Sequence, residues 1–464
     1  MHNSSKHIHF IGISGIGMSG IAKILLQQGY TISGCDQNIN EKHVQELRKL
    51  GCTIATTHLH NICLNSSINS VVYSSNVSTD HPELQYARQN NIPILLRADM
   101  LALLMKEKES IGIAGSHGKT STSAIVAHIL SYCKLDPSVI IGGHINTINS
   151  NAHNGKGKYL VAETDESDRS LLRLPKTYNI VTNVDLEHLE TYTNFQDIQN
   201  TFIEFINTTM SSGISVLCID DTGIQSIIPN ITTPFITYGQ SSHADIQIHN
   251  ILLHANSSTF TIYHKATNTI LGSITFPQAG LHYALNATGA IALALHLNLP
   301  FTQIQESLLS FTGVDRRFSY KGKSKQHNSD IYDDYGHHPL EINYALQVAR
   351  KKAKNKLIVV FQPHRFSRTY HLWDNFVQVL SQNIPDLLII TDIYTANEKP
   401  IANISSQNLT AFIKKINPNT KIIYRPADNN FDSIISTLND TLHTDDLLLL
   451  LGAGKVNKIA DKLI

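Results

Sequence analysis

The chain has 464 residues, 42% of them hydrophobic, which is enough for large cores and, at ~100 to 200 residues per domain, for two to four domains. Lysine plus arginine and aspartate plus glutamate both number 37, so the chain offers no overall basic field to a nucleic acid or an anionic membrane. Five cysteines, Cys35, Cys52, Cys63, Cys133 and Cys218, never form a Cys-x-x-Cys pair; with no basic-then-apolar leader and no run near the ~20 apolar residues of a membrane span, reduced thiols in a cytoplasmic protein are expected.

The first predicted element is an apolar run, Ile8 to Ile13, which continues through Gly12-Ile13-Ser14-Gly15-Ile16-Gly17 into a helix near Met18 to Gln28. A second strand, Thr31 to Gly34, then ends at Asp36. This reads as a nucleotide-binding βαβ opening, in which glycines let the backbone approach a pyrophosphate and an acid stands near a ribose. The third glycine of the dinucleotide pattern is displaced, giving Gly-x-x-Gly-x-Gly, so the pyrophosphate of another nucleotide fits at least as well as NAD, and a turn without ligand stays open. Short Asn- and Ser-rich patches such as Asn61 to Asn69 read as ordinary loops, and no internal repeat is visible. Lys106-Glu107-Lys108-Glu109-Ser110 has the composition of a solvated connector and marks the first domain boundary.

A fresh strand, Ile111 to Ala114, feeds the loop Gly115-Ser116-His117-Gly118-Lys119-Thr120-Ser121, and a helix-compatible run, Thr122 to Ser131, follows. Closely spaced N–H groups and a helix N-terminus can wrap a polyphosphate there; Lys119 adds a point charge, and the Thr120 hydroxyl is placed to ligate Mg2+, so the expected nucleotide is ATP. The spacing is a variant of the usual phosphate loop, with Ile113 where a glycine is normal. About 40 residues on, Tyr159-Leu160-Val161-Ala162 runs into four acids, Glu163, Asp165, Glu166 and Asp168, hard ligands that suit Mg2+ if they are not simply a solvated turn. Ile180 to Val184 likewise empties into Asp185-Leu186-Glu187-His188, where His188 can hold a second metal or orient a phosphate, or be an ordinary core histidine. A helix is expected from the Gly280-Leu281-His282-Tyr283-Ala284-Leu285-Asn286-Ala287 stretch to His296, with the second boundary near Gly313.

Beyond it, Lys321 to Asp330 reads as a loop, and Lys356 to Phe361, Leu387 to Thr391 and Asp446 to Leu451 as strands of a further α/β domain. The segments Tyr332-Asp333-Asp334-Tyr335-Gly336-His337-His338-Pro339 and Phe361-Gln362-Pro363-His364-Arg365-Phe366-Ser367-Arg368-Thr369 put Asp, His and Arg at carboxyl ends of a sheet, where ligands of open α/β sheets collect. Arg365 and Arg368 are planar forks for carboxylate or phosphate, domain packing being the plainer alternative.

Taken together, His9 to Met18, Gly115 to Thr120, Glu163 to Asp168, Gly280 to Ala287, Arg316-Arg317-Phe318, Asp333 to Pro339 and Phe361 to Phe366 resemble the Mur ligases, in order and across nearly the whole chain. The resemblance implies three α/β domains: a Rossmann-like UDP-sugar-binding domain (1–107), a central P-loop ATPase with a mainly parallel sheet (108–313) and a Rossmann-like C-terminal domain (314–464) that closes over ATP. It implies that ATP phosphorylates the lactyl carboxylate of UDP-N-acetylmuramic acid, and that the amine of L-alanine attacks the acyl phosphate to form an amide, with release of ADP and phosphate, in peptidoglycan precursor synthesis. Carried over by motif, Gly12, Ser14, Gly15, Gly17, Met18 and Asp36 would bind the UDP-sugar, and Thr120, Glu163 and His188 the metal. Lys119 would act on the transferring phosphoryl group, His282, Asn286 and Arg317 would contact ATP, Arg365 and Arg368 would face substrate carboxylates, and His337 would stand near the amine or acyl phosphate. A monomer or homodimer with no nucleic-acid or membrane partner is expected. Ser116 replaces the usual threonine, Lys455 an expected asparagine, and no lysine lies between Glu187 and Gly213 to supply the carbamylated bridge of several relatives, so His188 would bind its metal without one. Other readings are a peptide-recycling ligase on the same sugar nucleotide, a nicotinamide-dependent dehydrogenase, which leaves Lys119 idle, and a non-catalytic nucleotide-binding module.

Overall fold

The computed structural model describes residues 6–39, 41–56, 67–383, 385–428 and 430–464; Cys63 and the 61–66 part of the Asn61 to Asn69 loop lie outside them. Among the described residues the strands form three sheets. The first contains β1 (His7–Ile11), β2 (Thr31–Cys35), β3 (Thr53–Ala55), β4 (Ile68–Tyr73) and β5 (Ile94–Leu96) in the order β3-β2-β1-β4-β5, every pairing parallel. Strand order reverses at β1, so the loop after it opens into the crevice where doubly wound sheets bind ligands.

The second sheet holds β6 (Glu109–Ala114), β7 (Ser138–Ile145), β8 (Ser150–His153), β9 (Tyr159–Glu163), β10 (Tyr178–Val181), β11 (Ile214–Cys218), β12 (Phe235–Gly239), β13 (Ile246–Leu253), β14 (Ser258–His264) and β15 (Thr269–Phe276). Its order is β15-β14-β13-β12-β11-β10-β6-β9-β7-β8, with β6 in parallel register between β10 and β9. Placing β6 between two parallel partners sets the phosphate loop beside the carboxyl ends of both neighbours. β7 and β8 form an antiparallel hairpin at the edge.

The third sheet contains β16 (Ser319–Lys323), β17 (Asp330–Asp334), β18 (Leu357–Phe361), β19 (Leu387–Ile390), β20 (Ile422–Tyr424) and β21 (Leu447–Leu451), ordered β16-β17-β21-β18-β19-β20. β21 reads Leu-Leu-Leu-Leu-Leu because both of its faces are covered: Leu447, Leu449 and Leu451 join one core cluster, and Leu448 and Leu450 the opposite one. The loop expected over Lys321 to Asp330 narrows to 324–329, because β16 and β17 form an antiparallel hairpin in which Tyr320 pairs with Tyr332, their rings tilted at 51° with centroids 5.3 Å apart.

The chain divides into two compact units, Met1–Ile251 with Thr259–Pro277 and Tyr283–Thr312, and Leu252–Ser258 with Gln278–His282 and Gly313–Ile464. The first two sheets therefore share one unit. Helix Ile16–Gln27 belongs to both: Met18, Ile21, Ile24 and Leu25 pack in one core cluster with Phe10 of β1 and with Ile140 and Ala152 of the β7–β8 hairpin. Helix Arg97–Lys106 adds Met100, Leu101 and Leu104 to the same cluster. The expected solvated connector is correspondingly short. The helix runs to Lys106 and β6 begins at Glu109, while Lys108 Nζ donates to the carbonyls of Gly155 (2.6 Å) and Gly157 (2.8 Å). Cys35, Cys52 and Cys218 are buried thiols and Cys133 a half-buried one; burial pushes Cys52 and Cys218 up to about 12. Among the described residues no helix is long and apolar enough to cross a membrane.

Candidate active site

β6 delivers its loop at Gly115, whose φ of 131° is open only to glycine and where a Cβ would lie 2.1 Å from Thr182 Oγ1. Gly118, at φ 82°, caps helix Lys119–Tyr132, and a Cβ there would meet Asn286 Oδ1 at 2.8 Å. Both glycines thus answer to a positive φ and to a side chain packed against them. The residues that follow β10 pin the loop from below: His117 N donates to Asn183 Oδ1 (2.8 Å), Asn183 Nδ2 donates to the His117 carbonyl (3.0 Å), and Asp185 N donates to Ser116 Oγ (2.9 Å). No acid occupies the first turn of the helix, so its N-terminal field stays positive for a phosphate, with Thr120 and Ser121 buried in that turn.

Lys119 Nζ donates to Glu166 Oε1 at 2.7 Å and to the carbonyls of Gly115 (2.6 Å) and Ser116 (3.2 Å). Burial opposes its charge, but Glu166 and Glu163 outweigh that and hold the ammonium above its ordinary value. Thr120 Oγ1 donates toward both oxygens of Glu163, at 3.1 and 3.0 Å, and Gly142 N donates to Glu163 Oε2 at 2.8 Å. A hydroxyl and a carboxylate so paired are the hard oxygen donors that Mg2+ takes. His188, held at φ 56°, places Nε2 3.4 Å from Glu166 Oε1 and 3.6 Å from Glu187 Oε2, and Nδ1 3.5 Å from Glu190 Oε1. Burial disfavours its imidazolium, yet Glu166, Glu190 and Glu187 raise it to about 9. Glu166 is 2% exposed, and its Oε2 has no hydrogen-bond partner among the described residues. Ligand atoms of Glu166, Glu187 and His188 lie within 4.8 Å of one another, so a divalent cation fits this second donor set as well.

The four acids from the end of β9 onward do not act together. Only Glu163 and Glu166 turn to the phosphate loop; Asp165 accepts from Arg97 Nη2 at 3.2 Å, and Asp168 accepts from Ser75 Oγ at 2.7 Å and Ser170 N at 3.0 Å. The sequence names Glu166 only as one of the four acids and Glu187 only as a neighbour of His188, because alternation past a strand end does not say which acid faces the loop.

In the first sheet, Gly12 (φ 78°) turns the chain after β1, and its N–H donates to the Cys35 carbonyl at 2.9 Å. Asp36 Oδ2 accepts from Ser14 N (3.0 Å) and Oδ1 from Asn38 N (2.9 Å), so this acid braces the loop that it was expected to accompany. Gly15 caps helix Ile16–Gln27, whose first turn carries no acid. Gly17 lies against Arg97, where a Cβ would stand 3.3 Å from Nη1. The Met18 side chain is 2% exposed and packs in the core.

The second unit gathers the remaining candidates. Arg317 Nη1 lies 3.8 Å from Glu341 Oε1, and its guanidinium stands 5.4 Å from the Tyr335 ring centroid. His282 stacks on Tyr344 at 4.7 Å, and burial, followed by Arg317, pushes it down to about 3. His337 Nδ1 lies 3.1 Å from the Tyr335 carbonyl, and its ring is 5.7 Å from that of His364. Burial and then His337, Arg368 and Arg365 push His364 down to about 3. Arg368 Nη1 lies 3.3 Å from His364 Nδ1, and Arg365 Nη1 3.9 Å from Glu398 Oε1. In the first unit, Asn286 is buried beside Gly118.

A glycine-wrapped helix N-terminus with a charged lysine and a Thr–Glu oxygen pair is the arrangement that suits a nucleotide-dependent phosphoryl-transfer enzyme. Family models match as "Mur ligase family, catalytic domain" over residues 7–109, "Mur ligase middle domain" over 113–294 and "Mur ligase, glutamate ligase domain" over 316–454. The chain belongs to the Mur ligase family. It is 42% identical over 464 residues to a UDP-N-acetylmuramate–L-alanine ligase of Geotalea uraniireducens, covering 100% of this chain and 98% of that protein. The same-named protein of Geobacter sp. (strain M21) is 42% identical over 465 residues, again covering 100% and 98%. Among solved structures, the UDP-N-acetylmuramate-alanine ligase of Thermotoga maritima superposes with a TM-score of 0.82 at 26% identity, covering 98% of each chain.

Proposed function

We infer that the chain is an ATP-dependent ligase that forms a carbon–nitrogen bond, joining L-alanine to the lactyl carboxylate of UDP-N-acetylmuramic acid in peptidoglycan precursor synthesis. The observation that carries this reading is the phosphate loop with Lys119 and Thr120 seated on Glu166 and Glu163, in a chain aligned end to end with alanine ligases. A carboxylate is a poor acyl donor, so it is first phosphorylated by ATP; the amine of L-alanine then displaces phosphate from the acyl phosphate. Lys119 and the loop N–H groups neutralise the transferring phosphoryl oxygens, and a phosphate arriving at Lys119 competes with Glu166 for the ammonium. Thr120 and Glu163 would hold one Mg2+, and His188 with Glu166 and Glu187 a second cation. Mg2+ supplies positive charge across the phosphate oxygens. The glycine loop of the first sheet takes the UDP moiety. In the second unit, Arg365 and Arg368 serve substrate carboxylates, and His337 stands for the amine.

Phosphate release in the presence of UDP-N-acetylmuramic acid, ATP, Mg2+ and single amino acids tests the proposal. L-Alanine-dependent release is expected, with Lys119→Ala lowering the rate at least about a thousandfold, the scale of lost phosphoryl-transfer charge stabilisation. Release that ignores the sugar nucleotide would overturn the assignment, and faster turnover with a tripeptide than with L-alanine would replace it by the peptide-recycling reading.

A further inference from the structure

The glycine loop after β1 contains no basic residue of its own; a helix N-terminus follows it, and the His43 imidazole lies against it with Nε2 2.6 Å from the Ser14 carbonyl. One guanidinium stands at that terminus. Arg97 begins its own helix, Arg97–Lys106, and reaches across to Gly17, the second residue of helix Ile16–Gln27, so closely that a Cβ at Gly17 would fall 3.3 Å from Nη1 and 3.6 Å from Cδ. The other side of the fork is turned to the acids after β9: Nη2 lies 3.2 Å from Asp165 Oδ2 and 4.0 Å from Asp168 Oδ2. Arg97 keeps 19% of its side chain exposed and Asp165 40%, so this is an accessible pair and not a sealed one.

Building on the function proposed above, we propose that Arg97 is the cation that binds the diphosphate of the sugar nucleotide, and that Asp165 holds the guanidinium at the mouth of the glycine loop until the ligand arrives. A planar fork suits this task, because one edge can donate to two phosphate oxygens while the other stays on a carboxylate. The absence of a side chain at Gly17 acquires a reason as well, since any Cβ would crowd the guanidinium away from the helix N-terminus. The tether has a second consequence. Asp165 is followed directly by Glu166, whose carboxylate holds Lys119 Nζ at 2.7 Å, so one short acidic segment restrains the phosphate-binding cation of each nucleotide.

The experiment compares UDP and uridine binding by calorimetry to the full chain, because the two probes differ only in the diphosphate. Arg97→Ala should weaken UDP at least about tenfold while leaving uridine within about twofold, as expected for the loss of one charged phosphate contact. Arg97→Lys, which keeps the charge but not the fork, should recover part of the difference. Asp165→Asn, which removes the tether and keeps the guanidinium, should bind UDP no more weakly than the unaltered chain. In turnover, Arg97→Ala should raise KM for the sugar nucleotide with KM for ATP little changed. Equal losses of UDP and uridine, or an Asp165→Asn variant as impaired as Arg97→Ala, would make Arg97 a structural strut and overturn the proposal. An inactive unaltered chain that still shows the UDP pattern would instead count against the ligase reading alone.

Discussion

Side chains here are placed by electrostatics that composition does not reveal. Lys176 is the sharpest case: it is 1% exposed, donates to Thr208 Oγ1 at 2.8 Å and lies 4.0 Å from the Phe205 ring centroid, and burial pushes its amine down to about 7. A lysine with a folded pKa below its unfolded value costs stability wherever the unfolded chain holds the extra proton. Stability is therefore lost as pH falls from about 10.5 to about 7 and stays lost below that. Lys176→Met, which keeps the stem and removes the amine, should raise the melting temperature at pH 7 by on the order of 5 °C, and the gain should shrink toward pH 10. An unchanged difference across that range would show that Lys176 is paid for by contacts other than its neutral amine. The same burial logic explains what was legible at the candidate site. Lys119 and Thr120 stand out because a glycine loop before a helix has few other uses, and Glu163 follows from its strand end. Glu166 is not told apart from Asp165 and Asp168, and Glu187 and Arg97 do not stand out, since their roles depend on which way a side chain leaves a turn.

At the level of elements, strand and helix positions follow from periodicity where both faces of a strand are covered. The apolar runs of β18 and β21 are examples, and the five leucines of β21 leave no other reading. The β16–β17 hairpin was hidden because Lys321, Gly322, Lys323 and Ser324 carry no apolar signal, and pairing rests on Tyr320 and Tyr332. Helix Ile16–Gln27 is constrained on its far side by Gly20, where a Cβ would stand 3.3 Å from Asn151 Nδ2 and 3.4 Å from Ile140 Cγ2. Asn151 Nδ2 in turn donates to the Ile16 carbonyl at 2.8 Å, tying the edge hairpin to the first turn of the helix. Gly20→Leu should overpack this seam and cost about 1 to 3 kcal/mol, read as a lower denaturation midpoint with an unchanged denaturant slope. Because Gly15 caps the same helix and Gly17 lies on it, UDP affinity should fall along with it.

For the molecule as a whole, the three-domain α/β fold was legible, while the joining of the first two sheets into one compact unit was not. That joining comes from apolar residues of helices Ile16–Gln27 and Arg97–Lys106, whose partners lie on strands far along the chain. The third sheet carries a different vulnerability. β17 and β18 do not pair with each other, since β21, drawn from a segment more than 80 residues further on, fills the gap between them. A protease cut or premature stop just ahead of Asp446 should therefore give insoluble material and not a trimmed enzyme, with sedimentation of the shortened chain as the check. Two hydrogen-bonding edges would stand bare there, flanked by greasy side chains, and other polypeptides would be recruited into the slot that the missing leucines were meant to occupy.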